Sequence, residues 1–395
     1  MQQTETTLIH TGKEFNITPA VTPPIYQTST YLAPDNTDDY IKMANTTTSP
    51  WFYHRYGNPV NSQVAAIIAS LEGTESAMLT SSGMGAISTA VLAVVQQGDH
   101  VIVQRSHYAA ANQLFHVLLP DFGIEVSVVE QENNHAFEDK IRPNTRLIYI
   151  ETPSNPILAL TDLHFIGQLG KKHGIVTMCD NTFATPLNQR PHDFGIDIIL
   201  HSATKYLGGH SDLCAGVVCA SEEWITKIWK RMLILGSSLS SFDSWLLLKG
   251  LRTLSLRMKQ INENAQQLAE WLSSDLRIKK VLYCGLPSHP QYELAKQQMK
   301  GFSGMLCMEA EGHSPEYQLQ NAQTILNSVK IFANATSLGG VESLIVHPAS
   351  MWGIKDFPEK QKQIGINNGM LRISVGIENI QDLISDLDQA MQGIQ

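Results

Sequence analysis

From Gly98 onward, short apolar runs alternate with stretches whose apolar residues recur at helical spacing. The runs cover residues 100–103, 124–129, 146–150, 175–178, 196–200 and 215–219. Strands of this length separated by helical patterns predict an α/β unit, with a mostly parallel central sheet and helices on both faces. Upstream, Val64, Ile67, Ile68 and Leu71 mark a helix that Gly73 closes. Residues 77–79 then lead into Ser81-Ser82-Gly83-Met84-Gly85, and small residues over 86–95 predict a second helix.

The pattern changes after residue 240. A nearly proline-free stretch over 240–274 reads as a linking helix or helix pair, broken at most near Gly250. Shorter strands are predicted over 280–284, 305–309 and 371–375, with two helical patterns among them and a last helix over 380–391. Residues 1–57 are polar, punctuated by Pro19, Pro23, Pro24, Pro34 and Pro50, and lack sustained periodicity. Such a segment makes no core of its own and is expected to drape over another surface, that of a second subunit. The chain therefore divides into an arm (1–57), a large α/β domain (58–250) and a smaller α+β domain (251–395). No internal repeat or low-complexity segment interrupts it.

Composition narrows the class of protein. With 395 residues and 43% hydrophobic content, there is ample material for real cores. The net charge of -9 carries no block of like charge, so neither nucleic acid nor an anionic membrane is an expected partner. Small soluble molecules are. The amino terminus lacks a signal pattern, and no apolar run reaches spanning length, which predicts a cytoplasmic protein. Five cysteines without CxxC pairing or histidines at ligand spacing predict reduced, buried thiols and no metal site.

In open parallel sheets ligands sit outside the carboxyl ends of the strands. The polar residues of interest follow those ends: Tyr108, Asn155, Asp180 and Lys205. Lys205 stands after Ile198-Ile199-Leu200, between Ser202, Thr204 and two glycines. A lysine there is either a solvated turn residue or one held as a Schiff base to an aldehyde cofactor, with Ser202 and Thr204 as phosphate donors. Asp180, at the mouth of its strand, either caps the next turn or pairs with a protonated pyridine nitrogen. The small-residue turn before the helix at 86 offers unpaired N–H groups to a phosphate.

Eight ordered motifs spread over the whole chain carry a resemblance. They are YHRYGNP (53–59), SSGMGAI (81–87), ETPSNP (151–156), DNTFATP (180–186), HSATKYLGGH (201–210), SLGGVESL (337–344), HPASM (347–351) and LRISVGIE (371–378). The chain resembles the γ-family of pyridoxal phosphate (PLP) enzymes of cysteine and methionine metabolism, which includes methionine γ-lyase, cystathionine γ-synthase and the cystathionine lyases. The resemblance implies an aspartate-aminotransferase-like, type I PLP fold. It makes Lys205 the cofactor-bearing lysine, Asp180 the partner of the ring nitrogen, and Tyr108 the ring-stacking residue that assists proton transfer. Gly83, Met84, Ser202 and Thr204 would hold the phosphate, and Thr182 belongs to the same cofactor site. Tyr53 and Arg55 would reach the phosphate of a neighbouring subunit, which implies a dimer, doubled to a homotetramer. Arg372, with Ser337 and Asn155, would bind the substrate α-carboxylate.

The sequence departs from that pattern around the distal pocket. Ala109-Ala110-Ala111 follow Tyr108, Gln113 matches an arginine of several relatives, Thr336 stands where cystathionine-handling relatives carry glutamate, and Leu338 replaces a tryptophan of some β-lyases. The leading expectation is a carbon–sulfur lyase acting by α,γ-elimination on methionine or homocysteine. The alternatives are a cystathionine γ-lyase, γ-synthase or β-lyase and, outside these, a PLP-dependent aminotransferase or a cofactor-binding protein without activity.

Overall fold

Each of the six apolar runs becomes a strand; most are buried on both faces, while Glu125–Val129 at the sheet edge is only partly covered on one. The computed structural model describes residues 3–394. Its first sheet contains β1 (Ser76–Thr80), β2 (His100–Gln104), β3 (Glu125–Val129), β4 (Thr145–Glu151), β5 (Val176–Asp180), β6 (Ile198–Ser202) and β7 (Gly216–Ala220), in the order β1-β7-β6-β5-β4-β2-β3. Strands β2 to β6 pair in parallel. The β6–β7 connection contains no crossover helix, so β7 returns antiparallel to both β6 and β1.

Side-chain alternation sends Val101, Val103, Leu200 and Val218 to one face, against Ala90, Val91, Phe115 and Trp229. Ile199, Val217 and Cys219 go to the other face, against Val64, Ile67, Ile68 and Leu251. The helix Pro59–Glu72 starts on Asn58, whose side chain accepts the Val60 N–H, and ends on Gly73 with φ of 78°.

The long stretch after residue 240 is two helices, Ser241–Arg252 and Leu254–Ser274, that meet at Thr253. The break thus falls near Gly250, as expected. Gly250 itself lies inside the first helix, where an added Cβ would sit 2.2 Å from the Gly208 carbonyl oxygen. The glycine is there for close approach to the turn that follows Lys205.

The second sheet contains β8 (Ile278–Leu282), β9 (Met305–Ala310), β10 (Ala333–Asn334), β11 (Leu344–Val346) and β12 (Met370–Ser374), ordered β10-β11-β12-β9-β8. Period two decides its contribution to the site. Leu371 and Ile373 pack among Leu268, Leu272, Ile325 and Leu387, so Met370 and Arg372 face the opposite way. On that side Met370 packs with Cys307, Ala349, Ile157 and Trp352, and Arg372 reaches Asn155.

The first 57 residues include the short helices Thr4–His10 and Thr37–Asn45. Leu8 is fully buried, but Ile17, Val21 and Leu32 are 70%, 94% and 97% exposed. Among the described residues no helix is long and apolar enough to cross a membrane.

Candidate active site

The connections leaving β1, β2, β4, β5 and β6 end at one edge of the sheet, and β12 faces that edge across a cavity of about 470 Å³. Gly83, Met84, Tyr108, Asn155, Asp180, Thr182, Ser202, Thr204, Lys205, Ser337 and Arg372 all line it. Thr336 and Leu338 line it too, whereas Gln113 does not. Tyr53 and Arg55 also lie outside. Arg55 donates from Nη1 to the Leu233 carbonyl at 2.6 Å, and its guanidinium lies 5.7 Å from the Tyr53 and Tyr56 ring centroids.

Lys205 donates from Nζ to Ser337 Oγ at 2.6 Å. Burial, reinforced by the Arg372 charge, pushes its amine down to about 8. Ser337 adopts φ of 84°, a left-handed conformation unfavourable for a residue with a side chain. Its carbonyl accepts from Arg372 Nη2 at 3.1 Å, while Nη1 donates to Asn155 Oδ1 at 2.9 Å. Arg372 is 5% exposed and has no ion-pair partner among the described residues. A buried guanidinium held by neutral acceptors is a site for an external anion.

Asp180 is buried and receives the Thr182 hydroxyl at 2.5 Å and the Thr182 N–H at 3.0 Å. The Thr182 hydroxyl in turn accepts the Ser202 N–H at 2.8 Å. Behind this edge, fully buried Glu72 accepts from Asn181 Nδ2 at 2.9 Å and pairs with His201 Nε2 at 2.6 Å, tying the end of β5 to β6. The Thr204 hydroxyl is engaged with Ala215, donating to its carbonyl at 3.2 Å and accepting its N–H at 3.0 Å.

The helix Gly83–Val94 opens on Ser82, whose hydroxyl accepts the Gly85 N–H. The first two N–H groups, of Gly83 and Met84, have no intrahelical acceptor. An added Cβ at Gly83 would lie 2.7 Å from Ser202 Cβ, so only glycine lets the helix start approach the end of β6.

Several lining residues escaped the sequence reading. Glu151 closes β4 and lines the cavity 3% exposed, and Phe183, Met351 and Trp352 supply apolar wall. Four cysteines are buried as anticipated, but Cys214 is exposed and lines the cavity. It precedes Ala215 and β7.

A family profile described as Cys/Met metabolism PLP-dependent enzyme matches residues 5–392. The chain belongs to this family. It is therefore a PLP-dependent enzyme of sulfur amino-acid metabolism, and its fold is that of the family. It is 41% identical over 394 residues to the cystathionine γ-lyase of Bacillus subtilis, covering 99% of each chain. It is 37% identical over 392 residues to the L-methionine γ-lyase of Fusobacterium nucleatum, covering 98% of each. Among solved structures, cystathionine γ-lyase from Lactobacillus plantarum complexed with L-serine superposes with a TM-score of 0.90 at 37% identity, over the full length of both chains.

Proposed function

We propose that this enzyme is a carbon–sulfur lyase that converts L-methionine or L-homocysteine by α,γ-elimination into 2-oxobutanoate, ammonia and a thiol or sulfide. One observation carries the choice of substrate. The acidic and basic side chains lining the cavity are Lys205, Arg372, Asp180 and Glu151; in this reading the first three serve the cofactor and the α-carboxylate, and Glu151 accepts the Tyr108 and Asn155 N–H groups, so among the described residues no lining charge is left over for a charged distal group. A charged tail would lose its hydration without gaining a partner, whereas a thioether or thiol avoids that cost.

In this reading the cavity residues fit PLP. Lys205 would carry it through Nζ, Asp180 with Thr182 would meet its ring nitrogen, and Tyr108 would stack on its ring. The free N–H groups of Gly83 and Met84, with the hydroxyls of Ser202 and Thr204, would hold its phosphate. When bound, the cofactor draws electrons from the substrate Cα and makes its proton removable.

The chain's own groups do the rest. Arg372 binds the α-carboxylate between Asn155 and Ser337, which fixes the Cα–H bond relative to Lys205. Lys205, once its amine is free, would take the Cα proton, and its lowered basicity raises the fraction in the proton-accepting form. Tyr108 and Lys205 then move a Cβ proton, the Cγ–S bond breaks, and the sulfur leaves with a proton. Water enters, and the carbon skeleton departs as 2-oxobutanoate and ammonium.

Residues 58–250 act as the cofactor-binding domain, residues 251–395 supply Arg372 and Ser337, and the arm over 1–57 covers a neighbouring subunit. The assembly is a homotetramer built as a dimer of dimers, in the cytoplasm. A cystathionine γ-lyase is the second reading, favoured by the 41% identity to the Bacillus enzyme.

The deciding experiment assays a panel of sulfur amino acids, scoring 2-oxobutanoate, pyruvate, thiol and sulfide separately. Methionine or homocysteine should match or exceed cystathionine in kcat/KM, and Thr336→Glu should move the ratio toward cystathionine by about tenfold to a hundredfold, the worth of one charge-assisted hydrogen bond. Cystathionine preferred by more than about tenfold, a factor larger than one neutral hydrogen bond supplies, would sink the substrate assignment. Pyruvate as the main keto product would assign β-elimination instead. Stoichiometric pyridoxamine phosphate with an oxo acid would make the enzyme an aminotransferase.

A further inference from the structure

Glu151 was given no role by the motif that contains it, yet its carboxyl joins two connections that the sheet otherwise leaves separate. Its Oε2 accepts the Tyr108 N–H at 2.8 Å, from the connection after β2, and its Oε1 accepts the Asn155 N–H at 2.9 Å, from the connection after β4. We propose that Glu151 is a positioning residue, a crossbar that sets Tyr108, over the cofactor ring, relative to Asn155, beside the substrate carboxylate. The assignment of those two neighbours rests on the functional reading above.

The crossbar is itself anchored. The Glu151 N–H donates to Gln104 Oε1 at 3.0 Å, and Gln104 Nε2 donates back to the Glu151 carbonyl at 2.7 Å. Gln104 also accepts the Thr161 hydroxyl at 3.0 Å and donates to the Ser106 carbonyl at 2.5 Å. Both ends of the β4 hydrogen-bonding unit at Glu151 are therefore fixed by one buried side chain on β2. Only the carboxyl is left to reach forward to the two N–H groups.

The charge of the group agrees with this role. Burial and the neighbouring Asp180, its partner across the β4–β5 ladder, push the Glu151 carboxyl well above the usual range. Asp180 is pushed up less decidedly, because the Thr182 hydroxyl and N–H stabilise its anion. The Tyr108 and Asn155 N–H groups oppose the shift on Glu151, as donors to a carboxylate do, so the two contacts also offset the cost of burying it.

The test uses full-length Glu151→Ala and Glu151→Gln. Hydrogen exchange at the Tyr108 and Asn155 amides, with and without PLP, reads the crossbar directly. In Glu151→Ala both amides should exchange about tenfold faster or more, the worth of a lost buried hydrogen bond. In Glu151→Gln, which keeps one acceptor oxygen, one of the two should. L-Norleucine, isosteric with methionine but without a sulfur leaving group, reads the consequence. Its affinity and the deuterium exchange of its Cα hydrogen should each fall about tenfold, while borohydride-trapped cofactor stays at the unaltered level.

Protection of both amides in Glu151→Ala, or norleucine binding and exchange within about twofold of the unaltered enzyme, less than one hydrogen bond is worth, would overturn the proposal. So would loss of cofactor with both amides still protected, which would make Glu151 a cofactor-retaining residue. If Glu151→Ala does not fold, Glu151→Gln carries the same decision. If the unaltered chain traps no PLP, the functional reading fails by itself, and amide exchange in the cofactor-free protein still decides the crossbar.

Discussion

Lys205 and Ser337 hold the two unfavourable states at this site, a lysine in a low-dielectric wall and a serine with positive φ. With its amine near 8 rather than 10.5, the folded cofactor-free chain binds fewer protons than the unfolded chain between those values. This lysine's contribution to stability therefore rises with pH across that window. The neutral amine is also the form that adds to an aldehyde. At pH 8 about half of it is neutral, against less than about 1% for an unperturbed lysine. The rate at which cofactor-free protein captures PLP should climb through pH 8 and level off above it, which stopped-flow absorbance would follow. A rate still climbing tenfold per unit between pH 9 and 10 would show that burial does not lower this amine. Ser337→Gly separates strain from function: relief of the left-handed serine should raise stability by about 1 kcal/mol in denaturant unfolding. Activity should fall nonetheless, because Lys205 loses its hydroxyl partner. Stability and activity falling together would refute the strain argument.

The strands of the first sheet were legible in the sequence because most are buried on both faces and read as apolar runs, with the edge strand β3 carrying the weaker pattern. The same logic located Tyr108, Asn155, Asp180 and Lys205, since parallel strands deliver whatever follows them to one edge. Elements that answer to other constraints were not legible. Strands β10 and β11 are two and three residues long and carry too little pattern to register. Glu151 completes its strand, so its register pointed inward while its role comes from two N–H groups distant in sequence. Met351 and Trp352 reach the cavity through the packing of the short helix Pro348–Met351 against β12, which no local pattern encodes. The helix pair does break near Gly250, at Thr253, but what the sequence does not show is that Gly250 itself admits the Gly208 carbonyl. Gly250→Ala should therefore destabilise by about 1–3 kcal/mol, against its better helix propensity. A Tm equal to or above that of the unaltered protein would show that the contact relaxes without cost.

At the scale of the whole molecule, several of the most exposed large apolar residues fall on the arm. Ile17, Val21 and Leu32 on the arm are more than two-thirds exposed, as are Ile234 and Leu256 on helices of the body. An arm with this much exposed apolar surface and little core of its own is suited to cover a partner surface. Arg55 belongs to this region: its guanidinium is fastened to the Leu233 carbonyl, next to Ile234, and lies outside the cavity that contains Lys205. Either Arg55 has no part in the site, or it completes the site of a second copy. Subunit mixing distinguishes these outcomes. Arg55→Ala and Lys205→Ala should each be nearly inactive alone, the first through loss of a phosphate contact and the second through loss of the cofactor-bearing amine. In a mixed dimer, the site containing Lys205 of the first variant receives Arg55 from the second and is intact. Random exchange at equal amounts makes half of the dimers mixed, with one of two sites restored, so activity should recover to about a quarter of the unaltered level. No recovery, despite subunit exchange demonstrated by mass spectrometry of labelled chains, would mean that each site is built within one chain and that the arm covers a surface without reaching the chemistry.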